Sequence, residues 1–397
     1  MVSRPTKMAA SLFIVLVLLL VFEVLSFAIF SVTGESVDFR VRVFYPASLT
    51  DAEIHRYLDD RDANLGWPWK TDTTFDIASH RQRVSPANDA IENPKYCFEV
   101  YGDSFTFADD VDNDAAWPNR LAESTGCKVL NFGVGGYGVD QAVLRHELNA
   151  RFADYVALVI FPHDIRRNLN RHRSLIGPGK KLLDYKPRFV QSEDGDLKLI
   201  EVFSGTPDDH RRVFSDPSSG LLEERFLPDS GGLWSKITPS FPYTLTTLRL
   251  TKKIFREIDF EKLWTGEFER GMRGINFPPY YFHDEGLLVE AKKILEKLAS
   301  RFQYNCKAKR QTCFVILHPD VDSIMGDFRA DRMMAYHFEN IKTRPYFRDM
   351  TAFLQAEMKG EVCRYFGVGD CFGHLNDSGN ELVSTFFLRT FPAAFRN

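Results

Sequence analysis

The chain lacks the short-range signals of several protein classes. Of its 397 residues only six are cysteine, with no CxxC pair and no Cys/His spacing of a structural zinc site, so neither a disulfide-dense scaffold nor a metal centre is implied. Its 25 glycines and 19 prolines follow no short period, which excludes collagen-like and low-complexity chains. Lys and Arg number 50 against 54 Asp and Glu, a net charge of −4. Without a concentrated basic tract, no nucleic-acid partner is expected. No internal repeat is visible. What remains is a composition 44% hydrophobic and 26% charged, that of a globular protein long enough for two or three structural units.

One long apolar run stands at the start. Residues 8–30 are interrupted only by Glu23 and small polar serines, and as a helix they extend about 34 Å, enough to span a bilayer. Arg4 and Lys7 precede the run, so the positive-inside bias leaves residues 1–7 cytoplasmic and exports everything after residue 30. The competing reading is a signal peptide cleaved after the small residues Ser26 and Ala28. Both export the chain. Apolar residues resume after Glu23, which favours the uncleaved anchor. Export also allows disulfides: Cys306 with Cys313 and Cys363 with Cys371 are spaced to close short loops, while Cys97 and Cys127 read as free, small apolar residues at strand starts.

Beyond a 31–95 extension, apolar runs of strand length alternate with segments of helical period, the pattern of a parallel sheet covered on both faces. Strands are predicted at 97–102, 128–133, 155–161, 312–317 and 361–365, and helices at 116–125, 139–152, 287–302, 345–358 and from 377, where Ser378 and Glu381 suggest a capping box. The alternation lapses from 171 to 282. The chain therefore reads as two halves of one α/β core, 96–170 and 283–397, around an irregular insertion. In that insertion Trp234, Trp264, Tyr280, Tyr281 and Phe282, with Lys180, Lys181, Lys186 and Arg188, could form a lid or sugar-stacking wall, but a small hydrophobic core of the insertion itself explains the same residues and is the preferred reading.

Such sheets bind ligands beyond the carboxyl ends of their strands. Three loops lie there, at 103–109, 133–138 and 162–168, with 370–376 before the last helix. Ser104 follows the first strand directly and can act as a nucleophile if a base reaches it. His374 is the candidate base and Asp370 the carboxylate that orients it. Gly136, in the run from Asn131 to Gly138, offers a bare backbone N–H to a developing oxyanion, joined by the N–H of Ser104, with His163 as a side-chain donor. His318, ending the strand at 312–317, could line the same pocket.

With Tyr101-Gly102-Asp103-Ser104-Phe105-Thr106-Phe107, Asn131 to Gly138, and Asp370 to His374 with Asn376, the sequence resembles the SGNH (GDSL-type) hydrolase family. The resemblance covers both halves of the core and implies a three-layer, flavodoxin-like parallel sheet. It places the nucleophile on Ser104, the oxyanion glycine on Gly136, the base on His374 and its acid on Asp370. It requires no cofactor. Two departures stand out. The family's Gly-x-Asn-Asp block reads Phe161-Pro162-His163-Asp164 here, so His163 replaces the asparagine donor, with Asn168 as a substitute. The family's acid lies three residues before the histidine, where this chain has Cys371.

The implied activity is that of a membrane-anchored, extracytoplasmic serine esterase acting on the O-acyl groups of a glycan or lipid. With a sugar hydroxyl in place of water, the same residues would make an O-acyltransferase. A rival of another class is a non-catalytic glycan-binding subunit of the cell envelope. A third and weaker reading uses the glycine loop as the phosphate cradle of a nucleotide-binding protein.

Overall fold

The structure, a computed structural model, describes residues 4–33, 50–76, 81–92, 95–173, 184–215, 242–245, 247–248, 285–326, 328–368 and 371–395. The chain divides into two compact units, Met1–Val43 with Pro228–Asp284, and Phe44–Leu227 with Glu285–Asn397.

In the larger unit the apolar runs become five parallel strands: β1 (Tyr96–Tyr101), β2 (Lys128–Asn131), β3 (Tyr155–Ile160), β4 (Thr312–Leu317) and β5 (Phe347–Asp349). Their order across the sheet is β2-β1-β3-β4-β5. The winding reverses between β1 and β3, which opens a crevice at the carboxyl edge there. Alternation along β1 separates two cores. Phe98 and Val100 join Val129, Ala157, Val159 and Ile316 in one cluster with Trp117, Leu121, Leu354 and Phe387 from helices Trp117–Thr125, Thr351–Met358 and Asp377–Thr390. On the opposite side Tyr101 meets His146 of helix Val139–Leu148, and His146 meets Phe302 of helix Glu285–Ala308, with ring centroids 5.2 and 5.0 Å apart. Glu99 is fully buried on that side but satisfied. It accepts from the Phe152 and Ala153 N–H groups, from Gln311 and from the Tyr101 hydroxyl, at 2.6–2.9 Å.

Four expectations change. The stretch 345–350 is not helical: Phe347–Asp349 forms β5 on the sheet edge, and the helix begins at Thr351. The expected strand at 361–365 is a 3₁₀ turn, Val362–Tyr365, with the strands shifted into a small antiparallel hairpin of β6 (Phe366–Val368) and β7 (Phe372–Leu375). The last helix is capped by Asn376, whose side chain accepts from the Gly379 N–H at 3.1 Å, and not by Ser378. Cys97 and Cys127 are disulfide-bonded, as are Cys306–Cys313 and Cys363–Cys371. The first pair meets because β1 and β2 are neighbours, which puts the two strand starts 5.8 Å apart at Cα.

Within the expected insertion, Lys186 and Arg188 do not face outward. Lys186 is fully buried in an ion pair with Asp140, and Arg188 donates to the Leu169 carbonyl at 2.7 Å. Lys180, Lys181, Trp234, Trp264, Tyr280, Tyr281 and Phe282 lie outside the described residues.

In the smaller unit Arg4–Thr33 is one helix, with side chains described from Ile14 to Ala28. Among the described residues no helix is long and apolar enough to cross a membrane. Glu23 accepts from the N–H and hydroxyl of Thr244, at 3.0 and 2.6 Å.

Candidate functional site

At the carboxyl end of β1 the chain turns sharply. A Cβ on Gly102 would collide with the Thr106 side chain and lie 2.6 Å from the Val159 carbonyl, so only glycine fits. Asp103 caps the short helix Ser104–Phe107, accepting from the Phe105 N–H at 2.9 Å. Ser104 is 5% exposed, and its hydroxyl donates to Asp103 Oδ2 at 3.4 Å. Among the described residues no hydrogen bond joins Ser104 to His374, and none accepts the Ser104 N–H.

After this turn the backbone enters the left-handed region twice, at Ala108 (φ 68) and Asp110 (φ 70). Such conformations cost about 1–3 kcal/mol at non-glycine residues and concentrate at functional sites. Here they carry Asp109 and Asp110 to the β6–β7 hairpin. Asp110 Oδ2 lies 2.9 Å from His374 Nδ1 and accepts the His374 backbone N–H at 3.3 Å. Nδ1 bonded to a carboxylate carries the proton, which leaves a lone pair on Nε2. Asp109 Oδ2 is 4.0 Å from Nε2. The imidazole packs on Phe105, the residue after Ser104, with centroids 4.9 Å apart. The carboxylate on this histidine is therefore Asp110. Asp370 lies outside the described residues. Sequence reading missed Asp110 because it looked for the acid beside the histidine, and the first-loop window ended one residue short. The signal available was the acidic run Asp109-Asp110-x-Asp112 after the serine.

Behind Ser104 lies a buried charge cluster. One guanidinium nitrogen of Arg167 serves Asp164 at 2.7 Å, Asp103 at 3.2 Å and the Tyr137 carbonyl at 2.8 Å. Burial, reinforced by the Asp103 charge, raises the Asp164 pKa well above the usual carboxylate range. Asp109 is raised too, by burial and then by Asp103 and Asp110, against the pull of His374.

Two more histidines line the region. His163 is half-buried, its ring 4.8 Å from Phe161. Burial and the cations of Arg167, Arg166 and Arg173 hold its pKa well below the usual imidazole value, so it is neutral. His318 is 1% exposed, with Nδ1 2.8 Å from the Pro319 carbonyl and Nε2 buried without a partner. Burial lowers its pKa to about 4. Phe105 packs against His318 as it does against His374, with centroids 4.9 Å apart in each case, and stacks at 4.0 Å on Phe161, which His163 contacts in turn; the three histidines therefore gather around one aromatic pair.

Gly136 adopts φ 81, a conformation suited to glycine, and among the described residues nothing accepts its N–H. Residues 133–138 spell G-x-G-x-x-G between β2 and helix Val139–Leu148, but three donors at the start of that helix, which a phosphate cradle would use, are taken. The Gly138 N–H goes to Gln141 Oε1, the Asp140 N–H to Asn168 Oδ1 and the Gln141 N–H to Asp140 Oδ1, at 2.8–3.2 Å. A buried carboxylate already occupies the helix N-terminus, which disfavours an anion there. Among the described residues, His146, Cys306 and Cys313 lie close enough to share a metal ion, but both sulfurs are in a disulfide.

No protein-family model and no curated protein matches the chain. Among solved structures, LAE5, an alpha/beta hydrolase enzyme from the metagenome of Lake Arreo, Spain, is similar with a TM-score of 0.36 and 12% identity, over 76% of this chain and 96% of that one. A likeness of that degree carries no argument about activity.

Proposed function

We propose that the chain is a serine hydrolase of SGNH type, on a flavodoxin-like sheet, that cleaves O-acyl esters of a glycan or lipid through an acyl-enzyme. The Ser104 hydroxyl turns from Asp103 and attacks the ester carbonyl while His374 Nε2 takes its proton. Asp110 holds Nδ1–H and stabilises the imidazolium. The N–H groups of Ser104 and Gly136 stabilise the oxyanion, with neutral His163 as a third donor. On collapse, Nε2 returns the proton to the leaving alcohol. Water, deprotonated by the same nitrogen, then releases the acid and restores Ser104. Resting hydrogen bonds in such sites are often loose and tighten only with substrate.

The observation that carries this reading is the Asp110–His374 bond beside the serine turn at the switch point of the sheet. Ser104→Ala tests it. Labelling by a fluorophosphonate should vanish, and turnover of p-nitrophenyl acetate should fall at least ~10⁴-fold in protein that still melts cooperatively. Labelling that survives the substitution would remove Ser104 from its role.

The same reading has residues 8–30 cross a membrane and the catalytic unit lie outside the cytoplasm. Its support is the apolar run of the sequence and the exposure of its side chains on the described helix, where Leu20 is 64% and Phe22 61% exposed. The full chain should then stay with membranes through alkaline carbonate washing; release into the supernatant argues against an anchor.

A further inference from the structure

We infer that Trp67, from the N-terminal extension, is a positioning residue that aims the Gly136 N–H, with Arg173 and Arg167 completing the clamp. The inference rests on the oxyanion role given to Gly136 above.

Three successive carbonyls of the glycine loop each accept a bond from a side chain elsewhere in the unit. Trp67 Nε1 donates to Gly135 O at 2.9 Å, Arg173 Nε to Gly136 O at 3.2 Å and Arg167 Nη1 to Tyr137 O at 2.8 Å. In a trans peptide the C=O and N–H point in opposite directions. Holding Gly135 O against the indole therefore turns the Gly136 N–H away from it, and that N–H meets no acceptor among the described residues. The clamp is close-fitting. A Cβ on Gly136 would sit 3.4 Å from Arg173 Nε and 3.8 Å from Trp67 Cζ2. Trp67 is itself held: it is 8% exposed, its ring centroid is 5.7 Å from that of Tyr137, and the Tyr137 hydroxyl donates to its carbonyl at 2.5 Å.

An oxyanion donor works only if it is oriented before the charge develops. Loss of the indole N–H should therefore cost rate and leave ground-state binding alone. Trp67→Phe keeps an aromatic ring in the slot and removes the donor. With p-nitrophenyl acetate, kcat should fall ~10-fold while KM stays within about twofold, and fluorophosphonate labelling should slow in parallel. An unchanged kcat overturns the inference. So does a lower melting temperature with kcat and KM both impaired, since that marks Trp67 as packing only. If Trp67→Phe does not fold, Arg173→Gln gives the same kcat-against-KM test at the next carbonyl. Wild-type turnover that depends on Ser104 but is indifferent to both substitutions defeats this inference alone; absence of Ser104-dependent turnover defeats the proposed function with it.

Discussion

The two halves of the candidate site are held by opposite means. The nucleophile half is built inside the protein, with Asp103, Ser104, Asp164 and Arg167 all buried and bonded to one another or to backbone. The base half sits on a short hairpin tied by the Cys363–Cys371 disulfide, and the side chains of His374 and Asp110 are 25% and 49% exposed. Physical chemistry gives each arrangement a reason. Backbone donors for an oxyanion need fixed geometry and no change of charge, so burial serves them. A general base must carry a proton during the reaction, and burial opposes that. His318, pushed to about 4, shows what a fully enclosed imidazole becomes.

The comparison breaks most visibly at Asp110. Asn suits the left-handed backbone there as well as Asp does, so Asp110→Asn should leave stability within about 1 kcal/mol. Its amide cannot stabilise the imidazolium or enforce the tautomer, and kcat should fall ~10³- to 10⁴-fold in a p-nitrophenyl ester assay. Asp370→Asn, measured alongside, should be close to wild type. The reverse pattern would return the role to Asp370 and separate the two halves differently.

The same contrast explains what could be read in the sequence. The inner strands and the serine turn were legible because buried apolar runs have one structural meaning and Gly-Asp-Ser follows the first of them. Asp110 was not, because it meets His374 across 264 residues and no periodicity reports a contact between two loops. Lys186 illustrates a second limit: charge in an irregular stretch reads as surface, whereas this lysine is buried because Asp140 happens to face it. Trp67 could be found only from the fold, since nothing in its own segment points to the glycine loop. Cys97 with Cys127 was closer to legible, since adjacent parallel strands that both begin with cysteine bring the two sulfurs together.

In the buried half a comparable substitution should strike stability first. Arg167→Met removes the cation shared by Asp103 and Asp164, and breaking a buried pair from one side costs about 3–5 kcal/mol, measured as unfolding free energy in guanidinium. The pH dependence sharpens the test. Asp164 has a folded pKa above its unfolded one, so it favours the fold in acid, and that contribution is lost as pH rises through the folded value. Without Arg167 the folded pKa climbs further. The penalty of Arg167→Met should therefore grow as pH rises through the wild-type folded pKa of Asp164, above which the variant must ionise that carboxyl without its cation or hold its proton at a cost. A penalty that stays constant while Asp164 is seen to ionise in the wild type would mean that Asp164 plays no part in it and that Arg167 matters through Asp103 and the Tyr137 carbonyl alone. The nucleophile half would then be a simple ion pair beside a clamp, and its burial would not be the reason it differs from the hairpin that carries His374.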